Sequence, residues 1–217
     1  NDGLDAEATE IEEQRPDKHV LGDANIQPVV LQQNRDWSPF WPEDEKQRGS
    51  IETMTCTFFQ LLNIIEALAK RQFNDEWNKS ERFNAGMVKI SKQGYTLVGA
   101  LDSVRKHHGL VDQTDWPNNI DNITWNDWIL TPQAEVIQKG LYFLEKYNVY
   151  FKEIPNSLAG ILNGLTISPV YAGGFAWLKR NGVYHSFSKP NHAIAVKKAI
   201  GNKLFVGDSY KPFEKEL

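Results

Sequence analysis

The sequence predicts an α+β fold in which helices come first and strands follow, segregated into two lobes. In the first part of the 217-residue chain, apolar residues recur at i, i+3 and i+4 spacing, which is typical of helices. In the last third, short runs rich in β-branched and aromatic residues, bounded by glycine, proline and asparagine, replace that spacing. We therefore expect a helical lobe with one long central helix and a second lobe built from an antiparallel sheet.

Three helices are expected, over residues 56–70, 97–107 and 131–147. The first has apolar side chains almost all round, as in a helix buried inside a domain. Gly109 is a plausible stop signal for the second, and Pro132 suits the first turn of the third. The intervening segments, 73–95 and 112–130, are expected to be irregular.

Four strands are expected after the last helix, over residues 149–154, 165–177, 193–200 and 203–206. Gly201-Asn202 separates the last two as a two-residue hairpin turn. Residues 1–36 are acidic and polar, and we predict an N-terminal tail or arm, partly disordered or bound to the surface. A single domain over residues 37–217 follows it.

Composition excludes several classes of function. The formal charge of −4, from 24 basic and 28 acidic residues, argues against a nucleic-acid binder. No apolar run reaches the length of a membrane span, no signal peptide is recognisable, and no clustered ligands predict a metal or other cofactor. The single cysteine cannot form a disulfide within the chain, so we expect a cytoplasmic or virion-associated protein.

That cysteine, Cys56, opens the longest predicted helix. Free backbone N–H groups and the positive end of the helix dipole favour a reactive thiolate there, and Thr53 or Thr55 could cap the helix. Nucleophilic chemistry also needs a proton acceptor. Among the five histidines, His192 is the best placed, because it opens an apolar strand. The alternatives are a cysteine that fills a gap in the core and a histidine with a structural hydrogen bond.

Asp208 is the candidate to orient His192, since it ends the strand that pairs with the one His192 opens. If the hairpin ladder were unbroken, Asp208 would face residue 195, and the side chains of His192 and Asp208 would lie on opposite faces. The triad therefore requires a bend or bulge between them. The alternative is a carboxylate that caps a turn.

In this order and spacing the chain resembles the papain-like cysteine peptidases, especially divergent phage and prokaryotic members. The resemblance covers about residues 37–213, and His192 follows Cys56 by 136 residues (192 − 56). Four segments carry it: Gln47 with Glu52-Thr53-Met54-Thr55-Cys56-Thr57-Phe58, the run from Gly94-Tyr95-Thr96 through Gly109-Leu110-Val111 to Trp116-Pro117, the strand Asn191 to Val196, and Asp208-Ser209-Tyr210.

The resemblance implies a papain-like two-lobed fold, with the active site in the cleft, and a role for each matching residue. Cys56 would attack the scissile carbonyl, His192 would act as base and acid, and Asp208 would replace the family's usual Asn. Tyr210 would take the place of the indole that shields this pair. Gln47 would donate to the oxyanion, although it lies nine residues before Cys56 (56 − 47) where the family has six.

The substrate implied is a polypeptide. Asn191, Ala193 and Trp177 are expected around the pocket, whose apolar walls would favour an apolar side chain one residue from the cleaved bond. Two other readings stay open: a peptidoglycan amidase or lysin, and an inactive papain-like domain that serves as a structural or binding part of a virion. The N-terminal arm is a candidate contact for other virion proteins.

Overall fold

Helices occupy the first part of the chain and a four-stranded sheet the last, in a computed structural model that describes residues 19–21, 31–174, 178–180, 183–185 and 191–217. The helices of these segments are α1 Cys56–Phe73, α2 Glu81–Val88, α3 Leu97–Asp102, α4 Trp125–Trp128, α5 Ala134–Lys146 and α6 Leu158–Gly164. A π-helical turn, Ser103–His107, extends α3. The strands are β1 His19–Leu21, β2 Tyr147–Val149, β3 Val170–Gly174, β4 Leu178–Arg180, β5 Val183–His185, β6 His192–Ile200, β7 Lys203–Gly207 and β8 Glu214–Glu216.

Helix α1 is the centre of the molecule, as its all-round apolar pattern predicts. Its residues from Thr57 to Ala69 are all buried. Lys70 and Arg71 occupy its last turn, where positive charge suits the helix dipole, and Asn74 ends it in the left-handed conformation. The helix packs directly against β6, so one hydrophobic core spans the helical half and the sheet.

The sheet is antiparallel, in the order β3-β6-β7-β8, which confirms the α+β expectation. Strands β6 and β7 form the hairpin predicted around Gly201-Asn202, with Ile200 opposite Lys203. Gly201 has a positive φ of 59°, which this tight turn requires. Two two-stranded units, β1 with β2 and β4 with β5, lie apart from this sheet.

A β-bulge interrupts the hairpin, as the sequence argument required. On the side nearer the turn, Lys198 pairs with Phe205. Above the bulge, on the side away from the turn, Val196 pairs with Val206. Lys197 is the extra residue, and its carbonyl oxygen accepts a hydrogen bond from the Trp37 N–H at 2.9 Å. The register above the bulge, continued by two residues, places Asp208 opposite residue 194 instead of 195. His192 and Asp208 therefore project from the same face.

The N-terminal segment contributes to the fold in two places. Strand β1 pairs in parallel with β2 of the helical half. Residues 31–37 run along the sheet, where Asp36 pairs with Lys198 and the Trp37 indole donates to the Leu165 carbonyl at 2.8 Å. The division at residue 36 stays a prediction, as does the assignment of residues 1–36 to a tail or arm.

Some predicted elements differ in type or extent. Helices α2 and α4 fall in segments expected to be irregular, and α6 falls between two expected strands, where no element is predicted. Each begins after a Ser or Thr whose hydroxyl accepts from the backbone N–H three residues on, namely Ser80, Thr124 and Ser157. The strand expected over 149–154 is wrong beyond Val149. The one expected over 165–177 begins only at Val170, because turns after α6 and then Pro169 precede it.

Candidate active site

Cys56 is the first residue of α1 and is half-buried. Thr55 occupies the cap position, but its hydroxyl bonds to that of Thr53 at 2.6 Å, and Thr53 in turn donates to the Gln47 carbonyl at 2.8 Å. Capping of α1 by either threonine side chain is therefore a wrong prediction. The free N–H groups in the first turn of α1 would still stabilise a negative charge at Cys56.

His192 is the first residue of β6, opposite Gly174 on β3, and only 6% of it is exposed. Its Nε2 lies 2.9 Å from Oδ1 of Asp208. Cys56 is the other neighbour that acts on this ring, since its interaction with the imidazole is among the causes that raise the His192 pKa. With Nε2 directed at the carboxylate, Nδ1 is the nitrogen available to the thiol. The structure thus brings the three predicted residues together, with the imidazole in the middle.

The charge state of His192 follows from these neighbours. Burial alone would lower its pKa, but hydrogen bonds and charges from Asp208 and Cys56 raise that pKa to about 9. Burial likewise works against the Asp208 carboxylate, yet His192 and Lys215 together hold its pKa below the ordinary value. An imidazolium beside the Asp208 carboxylate is therefore the favoured state of this buried histidine near neutral pH.

Asp208 follows directly after β7 and is 4% exposed. Besides His192, its Oδ1 accepts from the Tyr210 backbone N–H at 2.9 Å. Its Oδ2 accepts from the Lys215 ammonium group at 2.8 Å. Its own backbone N–H donates to the Phe213 carbonyl at 2.8 Å. The carboxylate is thus held in one orientation by donors on both oxygens.

Gln47 lies next to this group despite the three extra residues before Cys56. Arg48 and Glu52 pair as a short bridge, so the added residues close into a tight turn and leave the rest of the loop in place. The Gln47 side-chain oxygen accepts from the Ser209 hydroxyl at 2.7 Å. Its amide nitrogen donates to Glu52 Oε1 at 2.7 Å and to the Tyr210 hydroxyl at 2.6 Å. Both amide hydrogens are therefore engaged within the protein.

Tyr210 packs on the imidazole. The two ring centroids are 5.2 Å apart with a tilt of 39°, so the tyrosine covers one side of His192. Burial and the adjacent Glu52 carboxylate raise the pKa of Tyr210 well above its ordinary value. Its hydroxyl therefore stays neutral and links Gln47 to the histidine.

Of the three further residues expected around the pocket, the structure describes two, Asn191 and Ala193. Asn191 is exposed, and its backbone N–H donates to the Gly174 carbonyl at 3.0 Å. Ala193 is 1% exposed and lies opposite Gly173 in the sheet. Trp177 lies outside the described residues. On β3, the Tyr171 hydroxyl donates to the Thr57 carbonyl in the first turn of α1, at 2.9 Å.

The structure adds two residues that the sequence did not single out. Glu52 accepts from the Gln47 amide, and Lys215 accounts for the second oxygen of Asp208. Lys215 stands between two glutamates in a short terminal segment, a pattern that indicates a solvent-exposed strand. Only the register of β8 against β7 turns its side chain inward. For Glu52, its position four residues before Cys56 was the one available signal.

Within residues 31–174 and 191–217, no group of three or more His, Cys, Asp or Glu side chains is arranged to hold a metal ion. None of the described helices combines the length and the apolar character that a membrane span needs. His108, an alternative base, instead contacts the Ser103 hydroxyl at 3.1 Å at the end of α3.

Neither a protein-family profile nor the sequence of a curated protein matches the chain. Solved structures do. The proform of Amb a 11, a cysteine protease and major ragweed pollen allergen, superposes with a TM-score of 0.58 at 16% identity, over 82% of this chain and 56% of its own. The recombinant stem bromelain precursor gives 0.59 at 15% identity, over 91% and 66%. Procathepsin L 3 from the larval midgut of Tenebrio molitor gives 0.54 at 10% identity, over 94% and 69%.

At these identities the comparison speaks to fold alone. The chain spans only 56% of the ragweed proform. Its long helix, which opens at Cys56 and packs on an antiparallel sheet, agrees with that likeness. The protein therefore has the papain-like fold.

Proposed function

We propose that this protein is a cysteine endopeptidase that hydrolyses peptide bonds through Cys56, His192 and Asp208. The observation that carries the proposal is the position of His192, between a half-buried thiol at a helix start and a buried carboxylate. Such a row of thiol, imidazole and carboxylate is what covalent acyl transfer needs. The papain-like fold adds support from an independent direction.

The first half of the reaction follows from this geometry. With the thiol proton held by His192, the Cys56 sulfur attacks the carbonyl carbon of the peptide. The tetrahedral intermediate collapses to a thioester while His192 returns the proton to the leaving amine. Asp208 stays ionised throughout and stabilises the imidazolium. Water activated by the neutral imidazole then hydrolyses the thioester and restores the thiol.

The developing oxyanion would be met by the backbone N–H of Cys56 and by the amide of Gln47. To donate there, Gln47 must release one of its two present acceptors, Glu52 or the Tyr210 hydroxyl. A donor of this kind contributes about 3 kcal/mol to lowering the barrier. We therefore expect Gln47→Ala to reduce kcat by roughly two orders of magnitude.

The engaged amide of Gln47 also favours a second candidate, an inactive papain-like domain with a structural or binding role. A site that no longer needs an oxyanion donor would tolerate permanent internal bonds at that position. The two candidates differ in the reactivity of Cys56. An active site makes the sulfur far more reactive at mildly acidic pH than an ordinary cysteine, because its thiolate persists beside the imidazolium.

The rate of Cys56 alkylation by iodoacetamide at pH 6 separates these candidates. We expect the wild type to react at least about tenfold faster than a cysteine in an unstructured peptide, and His192→Gln to lose that advantage. His107→Gln, an exposed histidine on the same chain, is the matched control and should behave as wild type. Wild-type labelling no faster than the peptide would sink the peptidase proposal.

The scissile amide is then identified with casein and peptidoglycan, followed by mass spectrometry of the products. Cleavage of casein that requires Cys56 supports the peptidase, whereas release of wall peptides alone points to a lysin. Preference for an apolar side chain near the cleaved bond stays a prediction, as does association with a virion.

A further inference from the structure

Lys215 is the second partner of the Asp208 carboxylate. Its ammonium group donates to Asp208 Oδ2 at 2.8 Å and to the carbonyl oxygens of Tyr210 and Pro212 at 2.9 and 2.7 Å. Only 3% of its side chain is exposed, and none of the Asp208 side chain is. An ammonium group this deeply buried is costly unless it is paired and fully hydrogen-bonded, and here each of three acceptors contributes.

The sheet explains why Lys215 points to this site. Val206 lies opposite Val196 on β6 and opposite Lys215 on β8. Side chains two residues apart on a strand share a face, so His192, Asp208 and Lys215 lie on one face of three neighbouring strands, in a diagonal row. The register that aligns His192 with Asp208 thus brings the lysine to the far side of the same carboxylate.

Charge complements this geometry. The row holds the potential anion Cys56, the potential cation His192, the anion Asp208 and the cation Lys215, in alternating order. The titratable or charged groups around it, among the residues described, are Tyr171 on β3, Glu52 before α1 and Tyr210 after Asp208. Without Lys215 the buried carboxylate would face the imidazole with its full charge.

We propose that Lys215 is a positioning residue of the candidate triad, which fixes the Asp208 carboxylate and offsets its charge so that the pair orients His192 without holding its proton too tightly. This inference rests on the proposed peptidase function. An imidazole that never releases its proton cannot protonate the leaving amine. The lysine therefore acts on the proton transfer through Asp208, without touching substrate.

The test compares the His192 titration midpoint, followed by NMR of the labelled imidazole, in four forms of the 217-residue chain. Removing the cation by Lys215→Met should raise the midpoint by about one pH unit, because a neighbouring positive charge is lost. Asp208→Asn should lower it, since Lys215 then remains without the anion. The double variant, Asp208→Asn with Lys215→Met, should lie above Asp208→Asn alone.

Two further variants serve as controls. Lys215→Arg keeps the charge and should retain a midpoint close to that of the wild type. Lys203→Met removes an exposed lysine of the same sheet, which pairs with Glu216, and should leave the midpoint unchanged. A midpoint in Lys215→Met equal to or below that of the wild type would overturn the proposal, even if the variant is less stable. If that variant does not fold, equal midpoints in Asp208→Asn and the double variant would do the same.

The measurement does not depend on peptide hydrolysis. The expected order of midpoints without any cleavage of peptides would leave the charge role of Lys215 standing and remove the peptidase proposal. Catalysis with unordered midpoints would do the reverse. In an active enzyme, Lys215→Met should also move the alkaline limb of the pH profile of kcat/KM to higher pH, by the same amount as the His192 midpoint.

Discussion

Replacing His192 by glutamine should remove much of the pH dependence of folding stability between pH 6.5 and about 9, the ordinary and the folded-state pKa of this residue. Glutamine keeps a side-chain N–H that can donate to Asp208, so the replacement removes the titration with limited disturbance of the buried hydrogen bond. The site therefore offers a way to isolate the proton of one residue.

The size of the effect follows from the shift. Each pKa unit corresponds to 1.36 kcal/mol, so a rise from 6.5 to about 9 amounts to about 3 kcal/mol. Because the folded protein holds the proton more tightly, this contribution is complete below pH 6.5. It falls by about 1.4 kcal/mol per pH unit as the pH rises and is gone above about 9.

Urea unfolding from pH 6 to 10, in the presence of a reducing agent, gives both curves. The difference in unfolding free energy between wild type and His192→Gln should narrow by about 3 kcal/mol across this range. His107→Gln, on an exposed histidine, should run parallel to the wild type. Parallel curves for His192→Gln as well would refute the assignment of the raised pKa to this imidazole.

Three other outcomes are expected from urea unfolding. Burial and two neighbouring glutamates raise the pKa of Glu81 well above 4.5. The free energy of unfolding should therefore fall with rising pH in the wild type and fall less steeply in Glu81→Gln. Equal slopes of the two proteins between pH 5 and 8 would contradict this. Gly109→Ala should cost at least about 2 kcal/mol, since φ is +68° and the added carbon would meet a backbone carbonyl oxygen. Gly201→Ala, in open space, should cost less. Tyr210→Phe should cost about 1 kcal/mol by leaving the Gln47 amide one acceptor short, and an unchanged stability would argue against that bond.

Periodicity and turn chemistry were sufficient for the parts of the fold that place the candidate triad. The apolar pattern after Cys56 is long enough to predict a buried helix, and Gly201-Asn202 predicts the hairpin that carries His192 and Asp208. The number of residues between His192 and Asp208 also requires a bulge if the two side chains are to share a face. At the bulge, the Lys197 carbonyl accepts a hydrogen bond from the Trp37 N–H, a contact that no local pattern reveals.

Short elements and inward-turned charges were beyond sequence reasoning for physical reasons. Helices α2, α4 and α6 have 8, 4 and 7 residues, too few for an apolar period to stand out, although a Ser or Thr that caps the helix precedes each of them. Lys215 has the sequence context of an exposed residue, and its burial follows only from the pairing of β8 with β7. The position of Gln47 depends on the turn that Arg48 and Glu52 close, and no local sequence pattern predicts that turn.

The single extra residue at Lys197 makes the two sides of the β6–β7 hairpin unequal in their tolerance of length changes. Insertions at the exposed Gly201-Asn202 tip leave the pairing of β6 with β7 beyond the bulge intact. This tip is therefore where a tag or a longer loop can be added. Deleting one residue of β6 between the tip and His192 would turn the His192 side chain to the opposite face of the sheet. Apolar residues would still occupy the neighbouring positions of the strand. An alignment of homologues by hydrophobicity alone could therefore be shifted by one residue. Whether the number of residues between the histidine and the aspartate is odd or even is the better guide.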